Sequence, residues 1–131
     1  MIIHIRKTKF YETTMQARID RDIERAKDLG MCDGVEWDLE SGQVLLRIRK
    51  YDVKIIPSAE YPFKCPEVFI SGVSDDIYPG DDSFIQCIEG CETGWSRVYV
   101  RNDWNPAMGF VQIIVDLDSA LGWQKIRSDL C

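Results

Sequence analysis

The stretch "YPFKCPEVFISG" at Tyr61–Gly72 decides how the chain is organised, because it joins a proline-containing loop to a strand. The residues from Glu67 onward are rich in β-branched and aromatic side chains, which is typical of strands. Pro66 and Gly72 bound them, and both residue types are common where strands begin or end. We therefore expect a strand at Glu67–Gly72, entered from an irregular loop.

Upstream of this strand, the segment "DGVEWDLESGQVLLRIRKYDVKIIP" at residues 33–57 consists of short β-branched and aromatic runs. Turn-forming residues interrupt it at Ser41-Gly42, and a second break is expected near Lys50 to Asp52. The pattern predicts three strands. Together with the strand at Glu67 they make an antiparallel meander of four strands.

The segment from Phe10 to Leu29 has the apolar spacing of an amphipathic helix, and Gly30 is placed to end it. The side faces of this helix carry a cluster of arginines, Arg18, Arg21 and Arg25. Such a cluster is either a solvated helix face or a docking surface, and the residue pattern leaves both readings open.

No clear element is predicted between Val73 and Asp103, although a loop of this length in a compact domain is usually functional or hides a strand. Within it, "GWSRVYVRND" alternates apolar with polar residues and suggests an extra hairpin, with Trp95, Val98 and Val100 as the apolar set.

A second helix is expected after this region, with Asn105 as its N-cap and Pro106 at its first position. One face is apolar and should pack on the sheet: Phe110, Ile114, Leu117 and Leu121. Gln112, Asp116 and Ser119 fall on another face. We expect a single α+β domain that spans residues 1–131.

The charge balance argues against two classes of partner. The chain of 131 residues has 22 Asp and Glu against 16 Lys and Arg, a balance that repels phosphate backbones and anionic membrane surfaces. We therefore expect no nucleic acid and no membrane as partners. The apolar runs are too short for a membrane span or a signal peptide, so we expect a cytoplasmic or nuclear protein.

Two of the five cysteines, Cys87 and Cys91, lie four positions apart in "SFIQCIEGC". Neither the ligand set of zinc nor the Cys-x-x-Cys spacing of a redox pair is present, so we expect no metal and no cofactor. His4 is the only histidine, so a cysteine nucleophile here must work without a general-base imidazole. Exchange of a thioester between thiols meets that condition, whereas cysteine chemistry alone favours packing in the core.

Three segments, in this order along the chain, resemble landmarks of the ubiquitin-conjugating enzyme family. Tyr61–Pro66 repeats the family's "YPFKPP" segment except at Cys65. "IYPG" at Ile77–Gly80 stands where the family has "IYHPN", and "WNPAM" at Trp104–Met108 stands where it has "WSPAL". The resemblance implies the fold of that family: an N-terminal helix, a four-strand meander, an active-site loop region and a following helix.

The resemblance implies a transferase that carries ubiquitin or a ubiquitin-like protein as a thioester on Cys87. The implied partners are the modifier itself, its activating enzyme and a RING-type or other ligase. By residue-by-residue match, the ligase would bind two loops that contain Pro62, Phe63, Pro106 and Ala107. The activating enzyme would dock on the basic side of the first helix, at Arg18, Arg21 and Arg25.

The chain departs from the family at the triplet "HPN", which Tyr78-Pro79-Gly80 replaces. The family's asparagine is thought to stabilise the oxyanion formed when a lysine attacks the thioester, and loss of one such donor costs roughly 100- to 1000-fold in rate. Backbone N–H groups near Gly80 or within Glu89 to Cys91 are candidate replacements. Asp81 and Asp82 are candidates to orient an attacking amine, although acidic turn residues are more often only solvated.

We expect no counterpart of the two C-terminal helices usual in the family, because the sequence ends soon after Leu121. Divergent conjugating enzymes for ubiquitin-like modifiers fit these departures, and so do non-catalytic conjugating-enzyme variants and RWD-like interaction modules. A cysteine at the matching place favours the enzyme, and the interaction module is the alternative.

Overall fold

A computed structural model describes the backbone of residues 2–38, 40–80, 82–91, 94–101 and 104–130, and side chains of these ranges between residues 16 and 122. The elements in chain order are α1 (Ile2–Leu29), β1 (Cys32–Asp38), β2 (Gln43–Ile48), β3 (Tyr51–Ile56), β4 (Glu67–Ser71), β5 (Ile85–Ile88), β6 (Trp95–Val100) and α2 (Gly109–Leu130). In the described residues this is an α+β arrangement of two helices and one antiparallel sheet. Neither helix has, over those residues, an apolar stretch long enough to cross a membrane.

The first four strands form the predicted meander, with Val44 opposite Ile55 and Ile55 opposite Val68. The turn between β2 and β3 lies at Arg49-Lys50, slightly earlier than predicted, because Tyr51 already pairs with Ile48. Arg49 has a φ of 56°, and the favoured two-residue hairpin turns require such positive values.

The predicted sheet of four strands is too small. The sheet has six strands in the order β1-β2-β3-β4-β6-β5. Strand β6 pairs with β4, which places Val98 opposite Val68, and β5 pairs with the far side of β6. The region between Val73 and Asp103 therefore extends the sheet. Its two strands are paired with each other, as the suggested hairpin requires, but β6 also joins the meander.

Along β6 the apolar side chains are not all on one face, contrary to the predicted alternation. Val98 is buried in the core, whereas Trp95 is 40% exposed on the opposite face and Ser96 occupies the buried position. The Ser96 hydroxyl donates to the Val73 carbonyl at 3.1 Å. A buried hydroxyl with a partner costs little, so serine is tolerated there.

Both helices contribute to one core cluster with the inward residues of the strands. Helix α1 contributes Ile19, Ile23 and Ala26, and α2 contributes Phe110, Ile113, Ile114, Leu117, Ala120 and Leu121. Because side chains alternate along a strand, the other face of the sheet carries a different set. We call this the open face; it is defined by the half-buried or exposed side chains of Lys54, Phe69, Cys87, Trp95, Arg97 and Tyr99.

Helix α2 begins at Gly109, three residues later than predicted, and continues to Leu130. Residues 106–108 form a separate turn in which Asn105 Oδ1 accepts the Ala107 N–H at 2.9 Å. Asn105 therefore caps this turn and not the helix. Gly109 has a φ of 67°, and a Cβ atom there would lie 2.9 Å from Asp22 Oδ1. The close approach of Gly109 to Asp22 separates the turn from the helix.

Candidate functional site

Cys87 lies on β5, the edge strand of the sheet, with its side chain half-buried on the open face. On one side it pairs with Tyr99 of β6. On the other side an isolated antiparallel bridge joins Ile77 to Ile88. In an antiparallel register the next pair along is Tyr78 and Cys87, so Tyr78 lies opposite Cys87. The buried bridge residues point to the core, so Tyr78 and Cys87 face outward together. The thiol therefore has a phenol on each side.

Each of these phenols donates a hydrogen bond to a carboxylate. Tyr78, which is 70% exposed, donates to Asp76 Oδ2 at 3.3 Å, and Tyr99 donates to Glu89 Oε2 at 2.8 Å. The negative charge of Asp76 raises the pKa of Tyr78, and the hydrogen bond to Glu89 raises the pKa of Tyr99. Ionised Cys87 also raises the pKa of both phenols, although less strongly. Both hydroxyls are therefore protonated donors at neutral pH.

The backbone N–H groups that follow β5 all have acceptors. Glu89 N–H donates to the Arg97 carbonyl at 3.0 Å, Gly90 N–H to Asp76 Oδ1 at 2.6 Å and Cys91 N–H to the Val73 carbonyl at 3.0 Å. At Gly90 a Cβ atom would lie 2.6 Å from the Ser74 carbonyl oxygen, so the two backbones are in close contact. This segment does not offer the free N–H groups that we considered as replacements for the family's asparagine.

A cavity of about 530 Å³ lies between the loop that follows Ile77 and the outer side of α2. Its walls include Tyr78, Pro79, Gly80 and Asp82 from the loop and Asp116 and Ser119 from the helix. Asp116 Oδ2 accepts the Phe84 N–H at 2.7 Å and thereby ties α2 to the start of β5. Cys87 does not line the cavity, and Asp81 lies outside the described residues.

The two loops with the predicted ligase-binding residues lie side by side. The Trp104 indole N–H donates to the Pro62 carbonyl at 2.8 Å, and its ring lies 6.1 Å from that of Tyr61. Phe63 is 77% exposed and Ala107 is also exposed, whereas Pro62 is buried and Pro106 half-buried. Phe63, Pro106 and Ala107 form one surface, which we call the loop patch. The prediction that Pro62 belongs to it is wrong, because Pro62 is buried.

The three arginines of α1 that were predicted to cluster, Arg18, Arg21 and Arg25, do not form one surface. Arg21 and Arg25 are exposed, but Arg18 is largely buried and pairs with Asp22 at 3.2 Å. Arg18 also donates to the Pro106 carbonyl, and the Tyr61 hydroxyl donates to Asp22. Arg18 therefore joins α1 to the loop patch. It belongs neither to a solvated helix face nor to a free docking surface.

Four cysteines in the described residues, Cys32, Cys65, Cys87 and Cys91, are free thiols. Burial raises the pKa of Cys32, and it raises the pKa of Cys65 to about 11, which makes these two thiols poor nucleophiles. Over the same part of the chain, no group of three His, Cys, Asp or Glu side chains is arranged to hold a metal ion.

Sequence reasoning singled out Cys87 and Tyr78 but missed Tyr99, Asp76 and Glu89 beside them. The position of Tyr99 depends on the register between β5 and β6, which local alternation does not encode. Asp116 was placed on the polar face of α2, but nothing in its spacing indicated that it would meet a loop more than thirty residues away in sequence.

No protein-family profile, curated protein or solved structure matches this chain.

Proposed function

We propose that this chain is a divergent ubiquitin-conjugating-type transferase. It accepts ubiquitin or a ubiquitin-like protein as a thioester on Cys87 and passes it to a lysine amine or another thiol. The observation that carries the proposal is the position of Cys87 on an edge strand, facing away from both helices. A partner as large as a ubiquitin-like protein reaches such a thiol without any opening of the core.

The proposed loading step needs no histidine. The Cys87 thiolate attacks the thioester carbonyl carbon of the modifier bound to its activating enzyme, and a new C–S bond forms. The tetrahedral intermediate collapses, the original C–S bond breaks and the enzyme's cysteine leaves as a thiolate. Attacking and leaving groups are alike, so little proton transfer is required. The described side chains include no imidazole, which is compatible with this exchange.

The cavity beside Tyr78 supports transfer to an amine. Its two carboxylates, Asp82 and Asp116, attract an alkylammonium group, and the Tyr78 ring offers a face for cation–π contact. A volume of about 530 Å³ is ample for a lysine side chain. Asp82, one of the two acidic residues considered from the sequence, thus keeps its proposed role, and Asp116 joins it.

The loop patch supports ligase binding, because an exposed Phe63 beside Pro106 and Ala107 is typical of a protein recognition surface. Among the arginines, Arg21 and Arg25 are the exposed candidates for docking an activating enzyme. Free thiols fit a reducing compartment, so we place the proposed enzyme in the cytoplasm or nucleus.

The test of this function is a charging assay with ATP, a panel of ubiquitin-like proteins and their activating enzymes. Wild-type protein should give an adduct on a non-reducing gel that reductant removes. Cys87→Ala should abolish the adduct, and the matched variant Cys91→Ala should retain it. An adduct that persists in Cys87→Ala would refute the assignment of the thiol.

A non-catalytic interaction module is the second candidate, and one observation favours it: the N–H groups of Glu89, Gly90 and Cys91 are all occupied. Such a module would bind a ubiquitin-like protein or another conjugating enzyme without using Cys87. It predicts no charging with any modifier in the panel by a folded wild-type protein. In that case Phe63→Ala and Pro106→Ala, on the loop patch, become the variants to test for partner binding.

A further inference from the structure

Acyl transfer at Cys87 needs a hydrogen-bond donor for the carbonyl oxygen, which becomes an oxyanion in the tetrahedral intermediate. Asparagine is absent from the position that would supply it, and the N–H groups of Glu89, Gly90 and Cys91 are engaged elsewhere. Apart from the backbone near Gly80, the donors available at this site are side chains next to the thiol. The two phenols that flank Cys87 are such groups.

The two phenols differ in how firmly their hydroxyls are held. The Tyr99 hydroxyl is fixed by a 2.8 Å hydrogen bond to Glu89, and its ring is stacked with Arg97, whose guanidinium carbon lies 5.6 Å from the ring centroid. The Tyr78 hydroxyl has a long bond of 3.3 Å to Asp76, and the ring is 70% exposed with an open cavity beside it. A long bond of this kind is easily exchanged for a better one. Tyr78 is therefore the phenol that is free to turn toward a bound acyl group.

We propose that Tyr78 is the oxyanion donor of this site: its O–H leaves Asp76 and donates to the carbonyl oxygen of the acyl group under attack by, or attached to, Cys87. This inference rests on the proposed function, because it assumes acyl transfer at Cys87. In each step the nucleophile adds to the carbonyl carbon and the C=O electron pair moves onto oxygen, where the Tyr78 O–H stabilises it. When the pair returns, the leaving group departs, and Tyr78 keeps its proton throughout.

A small activated ester tests this role without any partner protein. The probe is 4-nitrophenyl acetate: Cys87 forms a C–S bond to the acetyl group, and 4-nitrophenolate leaves. Acetylation is followed by tandem mass spectrometry, in which fragmentation places the acetyl group on Cys87 and separates it from Cys91, four residues away on the same peptide. Iodoacetamide is the second probe, because alkylation of the same thiol is a direct displacement that forms no oxyanion.

Tyr78→Phe keeps the ring and removes only the donor. We expect it to slow acetylation of Cys87 by about 100-fold, the lower end of the cost of losing an oxyanion donor, while iodoacetamide alkylation stays at the wild-type rate. Tyr99→Phe is the matched comparison on the other side of the thiol, and it should slow acetylation by a smaller factor. This split between acylation and alkylation would not result from a merely structural role of Tyr78.

Three results would overturn the inference: acetylation of Tyr78→Phe at the wild-type rate, equal slowing of acetylation and alkylation, or a larger effect of Tyr99→Phe. Equal slowing would mean that Tyr78 acts through exposure or ionisation of the thiol. The outcome is separable from that of the charging assay. A Tyr78-dependent acetylation in a protein that no modifier charges would refute the proposed function and leave the oxyanion donor in place.

Discussion

Asp22 is a carboxylate in the core, 1% exposed, and three groups surround it. Arg18 pairs with it at 3.2 Å, the Tyr61 hydroxyl donates to it, and the Gly109 backbone packs against it. A buried charge is tolerated only when it is paired and hydrogen-bonded, and here both conditions hold. The pair of Arg18 and Asp22 thus stabilises the joint between α1 and the loop patch.

Removing Arg18 should therefore be costly, because Asp22 would remain buried without its cation. We expect Arg18→Ala to lower the free energy of unfolding by about 3 kcal/mol, measured by urea denaturation with tryptophan fluorescence. The matched variant Arg21→Ala, on the exposed side of the same helix, should change it by less than about 0.5 kcal/mol. Equal stability of the two variants would contradict the structural role of Arg18.

At the scale of elements, the start of α2 is set by contact with α1 and not by its own capping residues. Asn105 and Pro106 carry the local signals of a helix start, but they form the turn at residues 106–108. The helix begins only at Gly109. A side chain there would be strained by the positive φ and would also collide with Asp22. The tertiary contact therefore outweighs the local signal.

Gly109→Ala tests this account of the helix start. Alanine would be strained at a φ of 67°, and its Cβ would approach Asp22 Oδ1 to 2.9 Å. We expect a loss of about 2 kcal/mol in the free energy of unfolding. Gly94→Ala is the control, since a Cβ there meets nothing within 4 Å, and it should be close to neutral. A Gly109→Ala protein as stable as the control would show that this backbone can relax.

At the scale of the whole molecule, burial in several places keeps weakly acidic side chains protonated above their ordinary pKa values. Burial raises the pKa of Cys65 from its ordinary value of 9.0 to about 11, and burial also raises that of Tyr61 and Cys32. A raised pKa means that the unfolded chain loses these protons first as pH rises. The contribution of Cys65 to stability is therefore complete below pH 9 and disappears as pH rises through 11.

The free energy of unfolding should accordingly fall between pH 9 and pH 11. Cys65→Ala removes one of the titrating groups, so its stability should fall less steeply over the same range than that of wild type. Urea denaturation at a series of pH values measures both slopes. Parallel curves for the two proteins would mean that the Cys65 thiol does not contribute to the alkaline loss.

Local patterns predicted the first four strands and α1 from Phe10 to Leu29, because each is set by its own periodicity and turn residues. They missed the first turns of α1, which begins at Ile2. They did not predict that β6 joins β4, since pairing between strands that are not consecutive depends on the whole fold. Burial of Asp22 could not be foreseen either, because its partners come from three separate segments. At the site, the resemblance selected Cys87, but the register that places Tyr99 and Tyr78 around it exists only in three dimensions.

The two edge strands of the sheet, β1 and β5, also affect whether copies of the chain can associate through their sheets. Strand β1 is interrupted by a bulge between Asp33 and Glu36 and carries exposed acidic side chains. Strand β5 has only four residues, and Ile77 already exchanges both backbone hydrogen bonds with Ile88. Neither edge strand presents a long, flat row of unpaired groups on which a second copy could build an intermolecular sheet. The bulge and acidic side chains of β1 and the bridged, short β5 thus disfavour sheet growth between copies of the chain at these two strands.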